Sequence, residues 1–471
     1  MSEPLLPFEI EIVPDDDTLT ARAGLPVVVE VGRAVGLRES VTRHVHVRLR
    51  RSGLSEADKV EDLVVLLADG GDCLDDIAAL RADAGFQRLL GRRLGSPDAY
   101  RRFLYAFHDE GLVLEAQRGR SPEQKAYIVA ENAPLRGLHL VNVDLVGRVA
   151  QLRPCTTATL DHDATIQESH KREAQPHYQG GRGYQPSVIY WAEQDLALAD
   201  EYRDGNVPAG MGNLPLIQRG FAALPETAKE RYFRADSACY EEKVLKWLAD
   251  DARTTGRPGK IGFTISADMT EALRRVCAAV GSEGWTLVED RVDETVACAD
   301  VEFTPGDWSK DAWPLRYVAV RIQKKQGQLF AGGFDTMYLA VVSNRWELGG
   351  PELLRWHWQK AGTIEHVHDV MKNELGAAVP PCGRLGANAA WYRLSLITYN
   401  VLSAAKSLVL PPSLQTARPK RLRRAVFAIA GRIVRHAGRL VVRIGHSAEQ
   451  LAGLIAARER LLRLHTLWST A

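Results

Sequence analysis

The chain has 471 residues, 45% hydrophobic and 25% charged, a balance that fits a globular protein and excludes a low-complexity or collagen-like one. Its net charge of +1 excludes a uniformly basic or acidic protein, so any partner has to be read from where the charges cluster. Six cysteines without a C-x-x-C pair exclude a zinc ribbon or disulfide framework and fit a reducing, intracellular compartment.

At this length, about two to four folded units are expected. Met1–Pro14 is acidic and lacks the basic-then-apolar layout of a signal peptide. No apolar run is long enough to span a bilayer.

Residues 1–150 read as a mainly helical region after β-prone stretches at PFEIEIV and LPVVVEV. Ser55 is the expected N-cap of EADKVEDLVVLLAD, which Gly70 and Gly71 end. Leu74–Ala84 gives a second helix. Ser96-Pro97 starts a third, PDAYRRFLYAFHDEGL. Arginines crowd this region, at 43, 48, 50 and 51 and then at Arg88, Arg92, Arg93, Arg101 and Arg102. Short helices with clustered arginine point to a helix-turn-helix-like DNA-binding unit, with Arg92, Arg93, Arg101 and Arg102 as phosphate contacts. A solvated charged face is the plainer alternative.

From 151 to 254 the pattern is TATLDHDATI, GYQPSVIYWAEQ and DLALADEYRDG as strands, NLPLIQRGFAAL as a helix, RYFRAD as a strand and YEEKVLKWLADDA as a helix. Three strands with short connections suit antiparallel pairing, and the later alternation suits a parallel crossover. That is the layout of the first part of a ribonuclease-H-like core. Residues 255–350 read as a β-rich insertion, with KIGFTIS, ETVACADVEF, LRYVAVRIQ and TMYLAVVSN. Residues 351–410 complete the core with the helices WHWQKAGTIEHVHDVMKNEL and ANAAWYRLSLITYNVLSAAKSLVL, and 411–471 form a basic tail in which RLVVRI is strand-like. The fold class is therefore α/β.

Asp161 and Asp163 lie two apart on one strand and face the same side. Two carboxylates on one buried face repel each other and are costly to desolvate, and a bound cation removes that cost. Asp236 ends a strand expected beside theirs, where an open sheet presents ligands, and Glu365 lies on a later helix. Three such carboxylates suit Mg²⁺ or Mn²⁺, as two ions roughly 3.5–4 Å apart that serve phosphoryl transfer. Taken singly, Asp163 also reads as a strand end, Asp236 as a helix cap and Glu365 as a solvated helix position. His366 and His368, two apart on a helix, do not share a face and make a poor zinc chelate. Gly180, Gly181 and Gly183 lack a following helix and read as a hairpin turn around Arg182.

LDHDATI, GGRGYQP, RADSACYEEKVLKWL, KAGTIEHVHDVMKNELG and ANAAWYRL together resemble a bacterial insertion-sequence transposase of the DDE type, nearest to insertion-sequence family thirteen-eighty within the IS-four-like group. The resemblance runs from about Val31 into the basic tail. It implies a transposase: a magnesium-dependent endonuclease and strand transferase of a mobile element, active in DNA recombination and transposition. It places the first Asp on Asp163, which precedes Ala-Thr, with Asp161 as a close alternative, the second on Asp236 and the Glu on Glu365. It adds Lys372, nearly two helical turns beyond Glu365, as a DNA-end phosphate contact. The Tyr and Arg of the group's signature are replaced by Trp358 and Ala361, so Lys360 or Arg355 would have to supply the Arg's contact. Among Trp285, Trp308, Trp313 and Trp346 of the β-rich stretch, one is a candidate for stacking on an unpaired base. The implied partners are double-stranded DNA, as terminal inverted repeats and target, and a second copy that bridges two ends as a homodimer. The implied location is cytoplasmic and nucleoid-associated, without membrane contact. A catalytically silent DNA-binding descendant and a host nuclease of the same fold are the alternatives.

Overall fold

The computed structural model describes residues 16–47, 53–120, 125–306, 308, 315–325, 327–445 and 448–469, side chains at 448–450 and 465–469 excepted. The expected strand PFEIEIV, the arginines at 48, 50 and 51, and the tryptophan at 313 lie outside the described residues.

The described part of the N-terminal region is mainly helical: α1 (Pro26–Ala34), α2 (Leu37–His44), α3 (Glu56–Asp69) and α4 (Pro97–Tyr105) are among the helices that precede the long α5 (Ala133–Leu152). The run LPVVVEV, expected to be extended, is α1 instead. Pro26 sits in its first turn, where its fixed φ suits a helix, and Val27, Val28, Val29 and Val31 are all buried. The β preference of valine is worth only about half a kcal/mol per residue, so packing decides. Ser55 does cap α3: its side chain accepts from Asp58 N at 3.0 Å while Asp58 accepts from Ser55 N at 2.9 Å, and Gly70 closes the helix at φ +104°.

The centre is a nine-stranded mixed sheet. In chain order its strands are β1 (Thr157–Ala164), β2 (Ser187–Trp191), β3 (Leu196–Glu201), β4 (Glu230–Ala235), β5 (Gly262–Ser266), β6 (Thr286–Asp290), β7 (Glu294–Val301), β8 (Arg316–Lys324) and β9 (Thr336–Ser343). Across the sheet they run β6-β7-β8-β9-β5-β4-β1-β2-β3. β1, β2 and β3 pair antiparallel, whereas β4 lies parallel to β1 and β5 parallel to β4. The helices α6 (Asn213–Ala222) and α7 (Glu242–Ala249) make the crossovers. β5, grouped by sequence with the β-rich insertion, is thus the fifth strand of the parallel–antiparallel core. The meander β6–β9 extends that same sheet, since β9 pairs with β5 over Val341–Ser343.

Three further helices complete the centre: α8 (Gly350–Trp358), α9 (Ile364–Glu374) and α10 (Leu385–Leu408). α10 is buried along nearly its whole length. Asn400 on it ties helix to sheet, accepting from Ala197 N and donating to Ala197 O, each at 2.8 Å, and also donating to Asn142 of α5 at 2.8 Å. Full pairing of this kind is what makes polar groups tolerable in a core.

Residues from Pro411, expected to be a basic tail, fold back onto the N-terminal helices. Gly431–His436 pairs with both Arg439–Ile444 and the short strand Leu19–Thr20. Arg423 donates to the Ala68 carbonyl at 2.8 Å and the Leu67 carbonyl at 3.1 Å, and Arg418 binds Asp369. Several of these basic residues therefore satisfy helix C-termini and acids of the chain itself. Gly24 makes the docking possible: a Cβ there would meet the Val426 carbonyl oxygen at 1.7 Å. Gly24→Ala should therefore destabilise by about 1–3 kcal/mol or more and expose residues 411–445 to protease. Equal protease resistance in mutant and wild type would contradict this packing.

Candidate active site

The parallel register of β1 and β4 sets the site. It places Asp161 directly beside Arg234. Two residues further on, with the same side-chain direction, come Asp163 and Asp236 at the C-terminal ends of the two neighbouring strands. The inner pair neutralises itself. Arg234 grips the Asp161 carboxylate with Nε at 2.7 Å and Nη2 at 2.9 Å, and the two side chains are 2% and 0% exposed. The Thr363 hydroxyl donates to the same carboxylate. Arg234 also donates to the Trp356 carbonyl at 2.8 Å and to Gln359 Oε1 at 3.3 Å, so this ion pair anchors the junction between α8 and α9 to the sheet.

The outer pair has no such partner. Asp163 has Lys360 Nζ at 3.7 Å from Oδ1 and His368 Nε2 at 4.0 Å from Oδ2. Desolvation pushes its carboxyl above the usual range, and the Lys360 charge only partly opposes this. Asp236 reaches solvent at the strand end and caps the turn Ser237–Cys239, accepting from Ala238 N at 3.0 Å. The surrounding protein raises its carboxyl too; Lys360 opposes the rise and the Asp163 charge adds to it. Two carboxylates that repel each other and share one nearby ammonium have the chemistry of a cation site.

The helix read as one run, WHWQKAGTIEHVHDVMKNEL, is broken. α8 ends at Trp358, a tight turn covers Gln359–Gly362, and α9 begins at Ile364. The break turns Lys360 inward, where it is 9% exposed. Glu365 lies in the first turn of α9 and is exposed. Helical spacing puts it on the side of His368 and Lys372. Lys372 is half-buried; burial lowers its ammonium, while the Glu168 and Asp163 charges oppose that. The ligand oxygens of Asp163, Asp236 and Glu365 do not all lie within 4.8 Å of one another. Among the described residues only Asp72, Cys73 and Asp76 form a group that close. There the Asp76 carboxylate accepts from the Asp72 and Cys73 amides at 3.0 and 3.3 Å, as part of a helix start.

Of the other expected contacts, Arg355 is turned away and donates to the Val288 carbonyl at 3.0 Å, leaving Lys360 at the carboxylates. Arg92, expected on DNA, is committed internally: it pairs with Asp62 at 2.5 Å, Glu61 at 3.3 Å and Asp58 at 3.6 Å. Arg101 pairs with Asp98 and, at 3.5 Å, with Asp75. Arg93 and Arg102 are exposed and pair with no carboxylate among the described residues. Trp285 packs under the Arg321 guanidinium at 4.6 Å, and Trp308 lies against Tyr240. Trp346 is 61% exposed. Gly180 turns at φ +94° between the paired strands Gln175–Pro176 and Arg182–Tyr184, which is the hairpin expected there.

Sequence reasoning weighed Asp161 and Asp163 without seeing the partner that separates them. The signal was present: R-x-D repeats the two-residue spacing of D-x-D. His368 and His366 make a poor chelate as a pair, but i and i+3 spacing from Glu365 places His368 alone on the site's side.

A family model described as transposase DDE domain group 1 matches residues 6–466, nearly the whole chain. The chain belongs to that family. No curated protein matches the transposase. Among solved structures, one described as a cryo-EM structure of a piggyBac transposase synaptic complex with hairpin DNA matches at 12% identity and a TM-score of 0.43, covering 85% of this chain and 76% of the other. Transposases of the DDE family normally use a divalent metal, and the Asp163–Asp236 pair has the donor chemistry for one. No helix among the described residues of the transposase is long and apolar enough to cross a membrane.

Proposed function

We propose that the chain is the transposase of a bacterial insertion sequence of the thirteen-eighty kind, which cuts DNA at the element's ends and joins the freed ends to target DNA. The observation that carries this reading is the register of β1 and β4, which sets Asp163 beside Asp236 while Arg234 occupies Asp161. The order β3-β2-β1-β4-β5, antiparallel on one side and parallel on the other, supports a ribonuclease-H-like core extended by the meander β6–β9.

Asp163, Asp236 and Glu365 are the residues assigned to hold metal, with Asp161 as a positioning residue. Magnesium or manganese, as two ions, would activate the attacking oxygen and stabilise the leaving one. Asp163 and Asp236 at the strand ends, with Glu365 on α9, would hold those ions, and the reacting phosphodiester would be positioned through them rather than by the carboxylates directly. Lys360 and Lys372 offer ammonium groups to its non-bridging oxygens. In cleavage, a water oxygen bonds to phosphorus as the phosphorus–O3′ bond breaks. In joining, the freed 3′-hydroxyl loses its proton and its oxygen bonds to a target phosphorus as that target's own phosphorus–O3′ bond breaks, leaving a 3′-hydroxyl on the target strand. Neither step needs a covalent enzyme intermediate.

Arg93 and Arg102, with Arg101 beside them, are the N-terminal phosphate contacts, and Arg92 supports them through the acids of α3. Double-stranded DNA is the substrate, and two copies would bridge two ends as a dimer.

The test uses the full chain, Mg²⁺ and duplexes that carry the element's own flanking ends. Wild type should nick and then produce strand-transfer products. Asp236→Ala and Glu365→Ala should abolish both while end binding survives. Cleavage by either variant at the wild-type rate would sink the assignment, and cleavage without joined products would favour a host nuclease.

A further inference from the structure

One buried group at the site is unused by the three-carboxylate reading. His368 is 5% exposed; its ring lies against the Asp163 backbone, yet neither ring nitrogen completes a hydrogen bond of ordinary geometry. A buried imidazole left so is uncommon and calls for a ligand or a local reason. Its Nε2 faces Asp163 Oδ2 at 4.0 Å, too far for a hydrogen bond. Two atoms bound to one octahedral ion at roughly 2.1 Å lie between about 3.0 Å (adjacent) and about 4.2 Å (opposite) apart. The observed separation of 4.0 Å lies near the value for opposite ligands. The second carboxylate oxygen, Oδ1, is directed to Lys360 at 3.7 Å, so Oδ2 is the one left for an ion. His366, two residues earlier, is exposed.

We propose that His368 is a nitrogen ligand of a divalent ion held by Asp163, making this a mixed carboxylate–imidazole site rather than an all-oxygen one. The proposal rests on reading Asp163 as a metal ligand. Oxygen-only sites suit Mg²⁺, whereas an imidazole nitrogen binds first-row transition-metal dications, of which Mn²⁺ is the weakest binder, in preference to Mg²⁺. The position next to His368 therefore takes Mn²⁺ more tightly than Mg²⁺. The Asp163 carboxylate supplies the charge, and a histidine ligates as the neutral imidazole.

Electron spin-echo modulation of Mn²⁺ bound to the full chain reads this directly, without any activity. Wild type should show coupling to a histidine nitrogen, and growth on ¹⁵N-histidine should change that signal. His368→Gln should remove the coupling and weaken Mn²⁺ binding by roughly ten- to a hundredfold. His366→Gln should change neither. Bound Mn²⁺ without histidine coupling in wild type overturns the proposal even if His368→Gln fails to fold, and so does coupling that survives in His368→Gln. Asp163→Asn and Asp236→Asn separate the two levels. If Mn²⁺ binds equally well to both variants, or does not bind wild type, the carboxylate reading fails together with this one. If they lose Mn²⁺ but wild type lacks the nitrogen signal, only the histidine assignment fails.

Discussion

Asp161→Asn should lose about 3–5 kcal/mol of stability, whereas Asp163→Asn should keep its stability and lose cleavage by roughly 10³-fold. The two residues are neighbours on one strand face, yet their surroundings differ in kind. Removing the Asp161 charge leaves the Arg234 guanidinium, 2% exposed, without its counter-charge, and an unpaired buried cation is among the costliest defects a core can hold. Removing the Asp163 charge relieves a carboxylate that burial and its neighbours already disfavour. The pH dependence follows. Both Asp163 and Asp236 are raised above 3.8 in the folded chain, so the stability they contribute is present below about pH 4 and is lost as pH rises through their folded values. The metal-free wild type should therefore weaken across that rise, and Asp163→Asn should weaken less. Denaturant titration without metal, followed by the cleavage assay, measures both halves. A stable, inactive Asp161→Asn with an unfolded Asp163→Asn would exchange the roles of the two residues.

Why one carboxylate pair could be narrowed but not resolved from sequence is a matter of distance along the chain. TATLDHDATI and RYFRAD are legible as strands, and side-chain period two puts Asp161 and Asp163 on one face. Which of them is neutralised depends on Arg234, 73 residues away, and on Thr363, 202 residues away. Strand register is a long-range property. The helix carrying Glu365 was legible, but its break at Gly362-Thr363 was not. That break lets Thr363 reach Asp161 and brings Lys360 to the carboxylates. The arginine clusters misled for a related reason. Composition shows positive charge but not the acids that meet it, so Arg92 reads like Arg93 until Asp58, Glu61 and Asp62 of α3 are seen around it. The valines of α1 were misread because local preference is weak against burial on one helical face.

Arg393→Met should be the most destabilising single change away from the carboxylates, by about 3–5 kcal/mol. Arg393 lies on α10 with no exposed side-chain surface, and it joins three parts of the chain. Its Nε binds Asp200 of β3 at 2.8 Å, its Nη2 binds Glu131 at 2.7 Å, and its Nη1 donates to the Leu135 carbonyl of α5 at 2.7 Å. Methionine fills much of the same space but leaves the buried Asp200 without its cation, and among the described residues Arg219 pairs with Glu131 and Glu201, not with Asp200. Burial alone would raise the Glu131 carboxyl, but the Arg393 charge and hydrogen bond outweigh it and hold it down at about 2. A depressed carboxyl contributes stability above its unfolded value of 4.5, and that contribution is lost as pH falls toward 2. Wild type should therefore lose stability steeply between those values, and Arg393→Met should show a shallower slope from a lower starting point. Because the arginine couples α5 to the sheet, hydrogen exchange in α5 should rise with the substitution. Unchanged exchange there, together with an unchanged denaturation midpoint, would mean that α5 is held to β3 by its apolar face and Asn142 alone.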